Sequence, residues 1–211
     1  TIYRNGRHQY WTDEDETKRP SVTALSSYLE NGFSAGMGYA TKLLRQGIDP
    51  KATSDAAVQE GNQLHADIDA YIEHGEVSEN SLFLSWYNTL GKMSWIASEL
   101  FVFNPLHGYG GTADAVAVTG PSWQLFDWKT VNPESWDKYG SSLRKAKDSA
   151  QVAAYVAALE DSKSQYSIDQ AFIAYIIRDD SGRVEVEPVD LDWGKELFRA
   201  SRTTYNLLKR E

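Results

Sequence analysis

An aspartate and a lysine stand two residues apart in the apolar, β-prone stretch LFDWKT, Leu125–Thr130. Residues i and i+2 of a strand share a face, so Asp127 and Lys129 aim at one spot. Burying such a pair costs several kcal/mol of desolvation per ion, and mutual attraction often only breaks even. The pair therefore needs a structural reason or a chemical task. A second carboxylate, Asp114, lies thirteen residues upstream in another β-prone run. If the two strands pair, both acids reach one point, where their repulsion is relieved by a divalent cation. Hard oxygen ligands suit Mg²⁺ or Mn²⁺. Lys129 would then orient or deprotonate a water beside the ion, or neutralise a developing oxyanion. This is chemistry for hydrolysing a phosphodiester.

Those residues need strands and helices to hold them. The early run Ile2–Trp11 reads as a hairpin around Asn5-Gly6, followed by a polar loop, Thr12–Arg19. A helix is expected from just after Pro20 to Glu30, capped by Ser21 or Thr23, and another over Ser34–Gln46. Ser54–His74 reads as a longer helix with Leu64, Ile68, Tyr71 and Ile72 on one stripe, His65 at its edge and Gly75 as the stop. A further helix covers Ser78–Leu90.

The period then changes to two. Trp95–Phe103 should place Glu99, Phe101 and Phe103 on one face, and Tyr109–Val118 should do the same for Thr112, Asp114, Val116 and Val118. With Gln124–Val131 these form an antiparallel meander. Asp148–Glu160 is an Ala-rich helix packing through Val152, Val156 and Leu159. Ala171–Arg178 and Arg183–Val189 pair across a turn, and Asp192 caps a last helix carrying Trp193, Leu197, Thr204 and Leu208. The expected class is α/β, an α+β sandwich with helices before the sheet and one crossing it.

Composition bounds the chemistry. The chain has 211 residues, 41% hydrophobic and 24% charged, which is ordinary for a globular protein. With no cysteine it has no disulfide framework, thiolate zinc site, Cys nucleophile or Cys-ligated iron–sulfur cluster. No apolar run approaches the roughly 18 residues a membrane span needs. The net charge of −9 argues weakly against avid nonspecific binding to nucleic acid. A carboxylate-built metal site contributes negative charge of its own.

Asp114 followed by Asp127-Trp128-Lys129 matches the acid and D/E-x-K elements of the PD-(D/E)XK nuclease superfamily. Three further stretches narrow the match. GNQLHADIDAYI resembles the Gly-x-x-x-His helix of RecB-like members, with His65 as its histidine, and QVAAYVAAL resembles their Gln-x-x-x-Tyr helix, with Gln151 and Tyr155. RPSVTALSSYL, with DWKT and AQVAAY, is most similar to the mitochondrial genome maintenance exonuclease group and its bacterial and phage relatives. No proline precedes Asp114, a departure common across the superfamily.

The resemblance implies an αβββαβ restriction-endonuclease-like core with a mixed central sheet, in a single nuclease domain over 1–211. Its parts would be an N-terminal hairpin and loop (1–19), a helical region forming an arch (20–92) and a catalytic sheet core (93–211). It implies a metal-dependent deoxyribonuclease acting on single-stranded DNA from an end. His65, Asp114 and Asp127 would bind Mg²⁺ or Mn²⁺, with the Trp128 carbonyl as a further oxygen. Lys129 would serve the water, and Gln151 and Tyr155 would position the strand or the lysine. Glu99 is an accessory candidate. Ser21 and Thr23 are equally helix caps or phosphate contacts. Arg144, Lys145 and Lys147 are the cations expected on DNA, interleaved with Tyr139. The alternatives are a nuclease for duplex ends or internal sites, of recombination or restriction type, and a noncatalytic DNA-binding module. Replication or recombination proteins are the expected partners. A bacterial or phage-infected cytoplasm is favoured over the mitochondrial matrix, because the N-terminus lacks a transit-like or signal-like segment.

Overall fold

The computed structural model describes residues 1–5, 9–14, 16–29, 32–142, 144–179 and 181–209, and for 32–38 the backbone alone. Strands β1 (Ile2–Arg4) and β2 (Tyr10–Thr12) form the expected hairpin, with Ile2 opposite Thr12. Gly6, expected at its turn, lies outside the described residues. The loop expected after it is pinned: the Tyr10 and Arg19 backbones exchange two 2.8 Å hydrogen bonds.

The helix after Pro20 is shorter than expected. Helix α1 covers only Val22–Ser26 and tightens into a 3₁₀ turn over Ser27–Leu29. Glu30, its expected end, lies outside the described residues. Helix α2 spans Gly32–Arg45. Helix α3 runs Pro50–His74, four residues longer at its start than the apolar stripe indicated. Asp49 caps it by accepting from the Lys51 amide, and Pro50 occupies the first turn, where its missing N–H costs nothing. Gly75 ends it at φ 73°. Helix α4 is Ser81–Leu90, capped by Asn80.

The main sheet has order β3-β4-β5-β6-β7: Ser94–Asn104, Tyr109–Thr119, Ser122–Val131, Gln170–Ile177 and Val184–Pro188. Neighbours are antiparallel except β5 and β6, which run parallel with Asp127 opposite Ile173. That parallel step needs a crossover, supplied by α5 (Pro133–Tyr139) and α6 (Lys145–Asp161). Helix α7 (Leu191–Leu208) closes the chain. The result is a mixed α+β architecture, a five-stranded mixed sheet flanked by helices, with the expected αβββαβ order inside it.

Each sheet face carries its own core. On one, Leu125, Val131, Ile173, Tyr175 and Ile177 pack with α6, α7 and α1. On the other, Phe126, Trp128, Ala174 and Ile176 pack with Leu64 and Ile68 of α3 and Phe83 and Trp86 of α4. Helix α6 is buried almost all round because it lies between the sheet and α7, and its alanines permit that approach. A Cβ on Gly194 would lie 2.7 Å from Ala153 Cβ and from the Ser149 carbonyl oxygen. This contact turns α7 so that Gly194, Phe198 and Ser201 are its buried face. The stripe expected there is offset by one residue: Trp193 and Leu208 are exposed. Asp190, not Asp192, caps α7.

Candidate functional site

Strict alternation fails where β3 and β4 carry their acids. Ser98 pairs with Ala115, and both belong to the α3/α4 side: Ser98 donates to Asp69 and Glu73 of α3, and Ala115 packs with α3 and α4. Leu100 pairs with Ala113, and both pack on the α6 side. Between these pairs lie Glu99 and Asp114. Glu99 has φ 45°, a left-handed conformation uncommon for a residue with a Cβ. Both strands thus switch faces at one level of the sheet, and the single face expected for Thr112, Asp114, Val116 and Val118 is broken at Asp114.

The switch delivers the two carboxylates to α3. His65 Nδ1 lies 3.5 Å from Asp114 Oδ1 and 3.9 Å from Glu99 Oε1. One donor atom from each of His65, Glu99 and Asp114 falls within 4.8 Å of the others. Helix α3 comes this close through Gly61, one turn earlier, whose Cβ position is 3.3 Å from Thr130 Oγ1 of β5. Burial alone would lower the His65 pKa, but Asp114 and Glu99 outweigh it and raise it. A cation would have to displace that proton, because only the neutral imidazole ligates.

The ladder between β4 and β5 ends at Ala115 opposite Phe126. Beyond it the Trp128 N–H donates to Asp114 Oδ2 at 2.6 Å, so a carboxylate replaces the next backbone acceptor. Trp128 buries its indole against Trp86 and Trp95, so what it presents to the groove is backbone.

Asp127 lies beside this group and faces the α6 side. It is fully buried, with Oδ2 2.5 Å from Lys129 Nζ in an ion pair that is not aligned as a hydrogen bond. Gln151 Nε2 donates to the Tyr155 hydroxyl at 2.8 Å and reaches Asp127 Oδ1 at 3.4 Å. Burial drives the Asp127 pKa up, Lys129 opposes this, and Asp114 adds to it. Burial would lower the Lys129 pKa, but Asp127, Asp148 and Asp114 together raise it, so the ammonium stays charged. Lys129 is suited to charge neutralisation and orientation rather than to base catalysis. Burial, followed by Asp127 and Asp114, keeps Tyr155 a neutral hydroxyl.

A divalent cation fits these residues. Asp127 Oδ2 is a buried carboxylate oxygen whose partner among the described residues is the Lys129 ammonium, and the three clustered donors are hard oxygens and an imidazole nitrogen. A groove of about 680 Å³ opens onto His65, Glu99 and Lys129 between α3 and β5. It shares Ser54 and Ala57 with a second cavity of about 480 Å³ lined by Tyr39 and Leu43 of α2.

The expected DNA cations separate. Arg144 lines the groove, whereas Lys145 lies 3.8 Å from Glu187 of β7; Lys147 is not among the groove-lining residues. Ser21 is buried and accepts from the Ala24 amide, so it caps α1 rather than facing a phosphate. Thr23 is exposed in the first turn of α1, and its side chain is among the groups that oppose the rise of the Tyr155 pKa. Asp148, a buried acid beside Lys129, was legible only as the third member of an i, i+3, i+7 series with Gln151 and Tyr155.

No family model matches the sequence, and no curated protein matches it. Among solved structures, the chain is similar to an alkaline exonuclease, LHK-Exo, from Laribacter hongkongensis. The identity is 15% and the TM-score 0.44, over 91% of this chain and 92% of that one. The same enzyme in complex with dAMP superposes at 16% identity and TM-score 0.41, over 91% and 92%. SSO0001 does so at 12% and 0.41, over 87% of this chain and 75% of that one. At these levels of identity and superposition, what the site does rests on its own residues.

Proposed function

We propose that this chain is a divalent-metal-dependent deoxyribonuclease that hydrolyses single-stranded DNA from an end. The reading is carried by one observation: His65, Glu99 and Asp114 converge within 4.8 Å at a groove that also exposes Lys129, paired to buried Asp127 at 2.5 Å. His65, Glu99 and Asp114 would hold Mg²⁺ or Mn²⁺, with Asp127 and the Trp128 backbone on the β5 side. When bound, such an ion supplies Lewis acidity toward a phosphoryl oxygen and makes nearby water more acidic.

The chain's own residues do the rest. Lys129, kept protonated by its carboxylate neighbours, sets a positive charge against the negative charge that develops at phosphorus. Gln151 holds Asp127 from the α6 side and is itself fixed by Tyr155, so the acid and lysine keep one geometry through the reaction. The groove between α3 and β5, continued by the cavity under α2, suits one flexible strand. The acidic net charge is compatible with this because the contacts to a strand would be local.

The test is digestion of end-labelled single-stranded DNA with Mg²⁺ or Mn²⁺, by the native protein and by Lys129→Ala. Shortening by the native protein alone supports the reading. Undiminished digestion by the variant refutes the role of Lys129. Cleavage of circular single strands, or preference for duplex, replaces the exonuclease reading with an internal or duplex-cutting one. Binding with no cleavage under any divalent ion favours a noncatalytic module.

A further inference from the structure

Asp148 is a buried acid that the scheme above uses only as one of the charges beside Lys129. It sits in the first turn of α6, one turn before Gln151 and two before Tyr155, on the same face of the helix. It is 0% exposed. Its Oδ2 accepts from Arg144 Nε at 2.7 Å and from the Tyr175 hydroxyl at 3.3 Å, and its Oδ1 has no hydrogen-bond partner among the described residues. The N-terminal end of α6 favours its negative charge, but a buried carboxylate with one oxygen orphaned still costs stability.

The arrangement makes sense through Arg144. Its guanidinium carbon lies 6.0 Å from the Tyr175 ring centroid, and its side chain lines the same groove as His65 and Lys129. Among the described residues nothing accepts from Nη1 or Nη2. The guanidinium is anchored by its Nε edge and backed by an aromatic ring. Its terminal fork is left for a ligand that offers two oxygens, the geometry in which guanidinium grips phosphate.

We propose that Arg144 is a phosphodiester-binding group for the strand lying in the groove, and that Asp148, with Tyr175, is the positioning residue that presets it. This rests on the nuclease reading and names the ligand chemistry of one wall of the same groove.

The test is binding of a fluorescein-labelled oligothymidylate in EDTA and in Ca²⁺, followed by anisotropy across a salt series, together with kcat/KM for cleavage in Mg²⁺. Arg144→Ala weakens binding roughly tenfold and lowers the salt slope by about 0.7, the loss of one contact to a single-strand phosphate. Arg144→Lys does not restore it, because a point charge lacks the fork. Asp148→Asn shows a several-fold loss that vanishes in the Arg144→Ala background, because the two act as one unit. If Asp148→Asn fails to fold, Tyr175→Phe carries the same comparison, with a smaller loss that also vanishes in that background. Melting temperatures taken in parallel separate positioning from simple destabilisation. Wild-type binding by a folded Asp148→Asn, or a full loss on top of Arg144→Ala, overturns the inference. A native protein that neither binds nor cuts any nucleic acid instead overturns the nuclease reading, and the inference with it.

Discussion

Gly111 gives the sharpest test of how the site is held. It lies in β4 beneath the Tyr155 ring, and a Cβ built there would sit 2.4 Å from Tyr155 Cε1, 3.1 Å from Cδ1 and 3.2 Å from Val22 Cγ2. Ordinary carbon contacts begin near 3.5 Å, so the ring must retreat by about 1 Å. It has nowhere to go, since Tyr155 is 2% exposed. Its hydroxyl also holds the amide of Gln151, which reaches Asp127. Overpacking of this kind costs about 1–3 kcal/mol, or roughly 2–12 °C of melting temperature for a chain of this size. A 1 Å misplacement passed to Gln151 and Asp127 costs up to about 100-fold in rate. Gly110→Ala is the control. Its Cβ would meet Tyr10 Cβ at the same 2.4 Å, but in the N-terminal hairpin, away from Gln151. Thermal melts in EDTA and single-turnover cleavage in Mg²⁺ read the two effects. Gly111→Ala should lose both stability and rate, and Gly110→Ala stability alone. Equal rate losses in the two variants, or an unchanged rate in Gly111→Ala, would refute the idea that Tyr155 acts through Gln151.

Other outcomes follow from the same geometry. Glu99→Gln and His65→Ala should each raise the Mg²⁺ or Mn²⁺ concentration for half-maximal cleavage by about tenfold or more, measured by metal titration, and chelation should abolish cleavage. Lys129→Met should lower kcat by roughly 100- to 1,000-fold with little change in that metal titration. Gly194→Ala should lower the melting temperature by separating α6 from α7, at its 2.7 Å contact with Ala153, without shifting the metal titration. At alkaline pH the buried tyrosines dominate. Burial, with Asp161 adding and an Asn104 hydrogen bond opposing, pushes Tyr109 from 10.0 up to about 12. Burial likewise raises Tyr155 and Tyr175. The native state keeps these protons where the unfolded chain has lost them, so stability is intact below pH 10 and falls as pH climbs through 12. Tyr109 alone accounts for about 3 kcal/mol, to be read as denaturant midpoints against pH.

Much of this was legible in the chain. The change from a helical period to a period of two marked β3, β4 and β5, and the Asp127–Lys129 spacing placed both side chains on one face of β5. The Gly61–His65 spacing marked the helix that carries His65, while the close approach of Gly61 to Thr130 of β5 is visible only in the fold. What escaped reading depended on contacts distant in sequence. The face switch at Glu99 and Asp114 accompanies a left-handed backbone at Glu99, which neither strand's alternation records. The rotation of α7 follows from Gly194 meeting Ala153, and the choice of Ser21 over Thr23 as the cap follows from where α1 begins. Helix α3 starts at Pro50 because Asp49 caps it, although no apolar stripe extends that far.

The bond from the Trp128 amide to Asp114 Oδ2 has a bearing on how an ion and the sheet communicate. One oxygen of that acid is already committed to the protein, so Asp114 meets an ion chiefly through its other oxygen, Oδ1. Anything that draws charge from its other oxygen weakens its hold on that amide proton. The Trp128 N–H resonance is therefore a built-in gauge of occupancy, sited where the two strands fork.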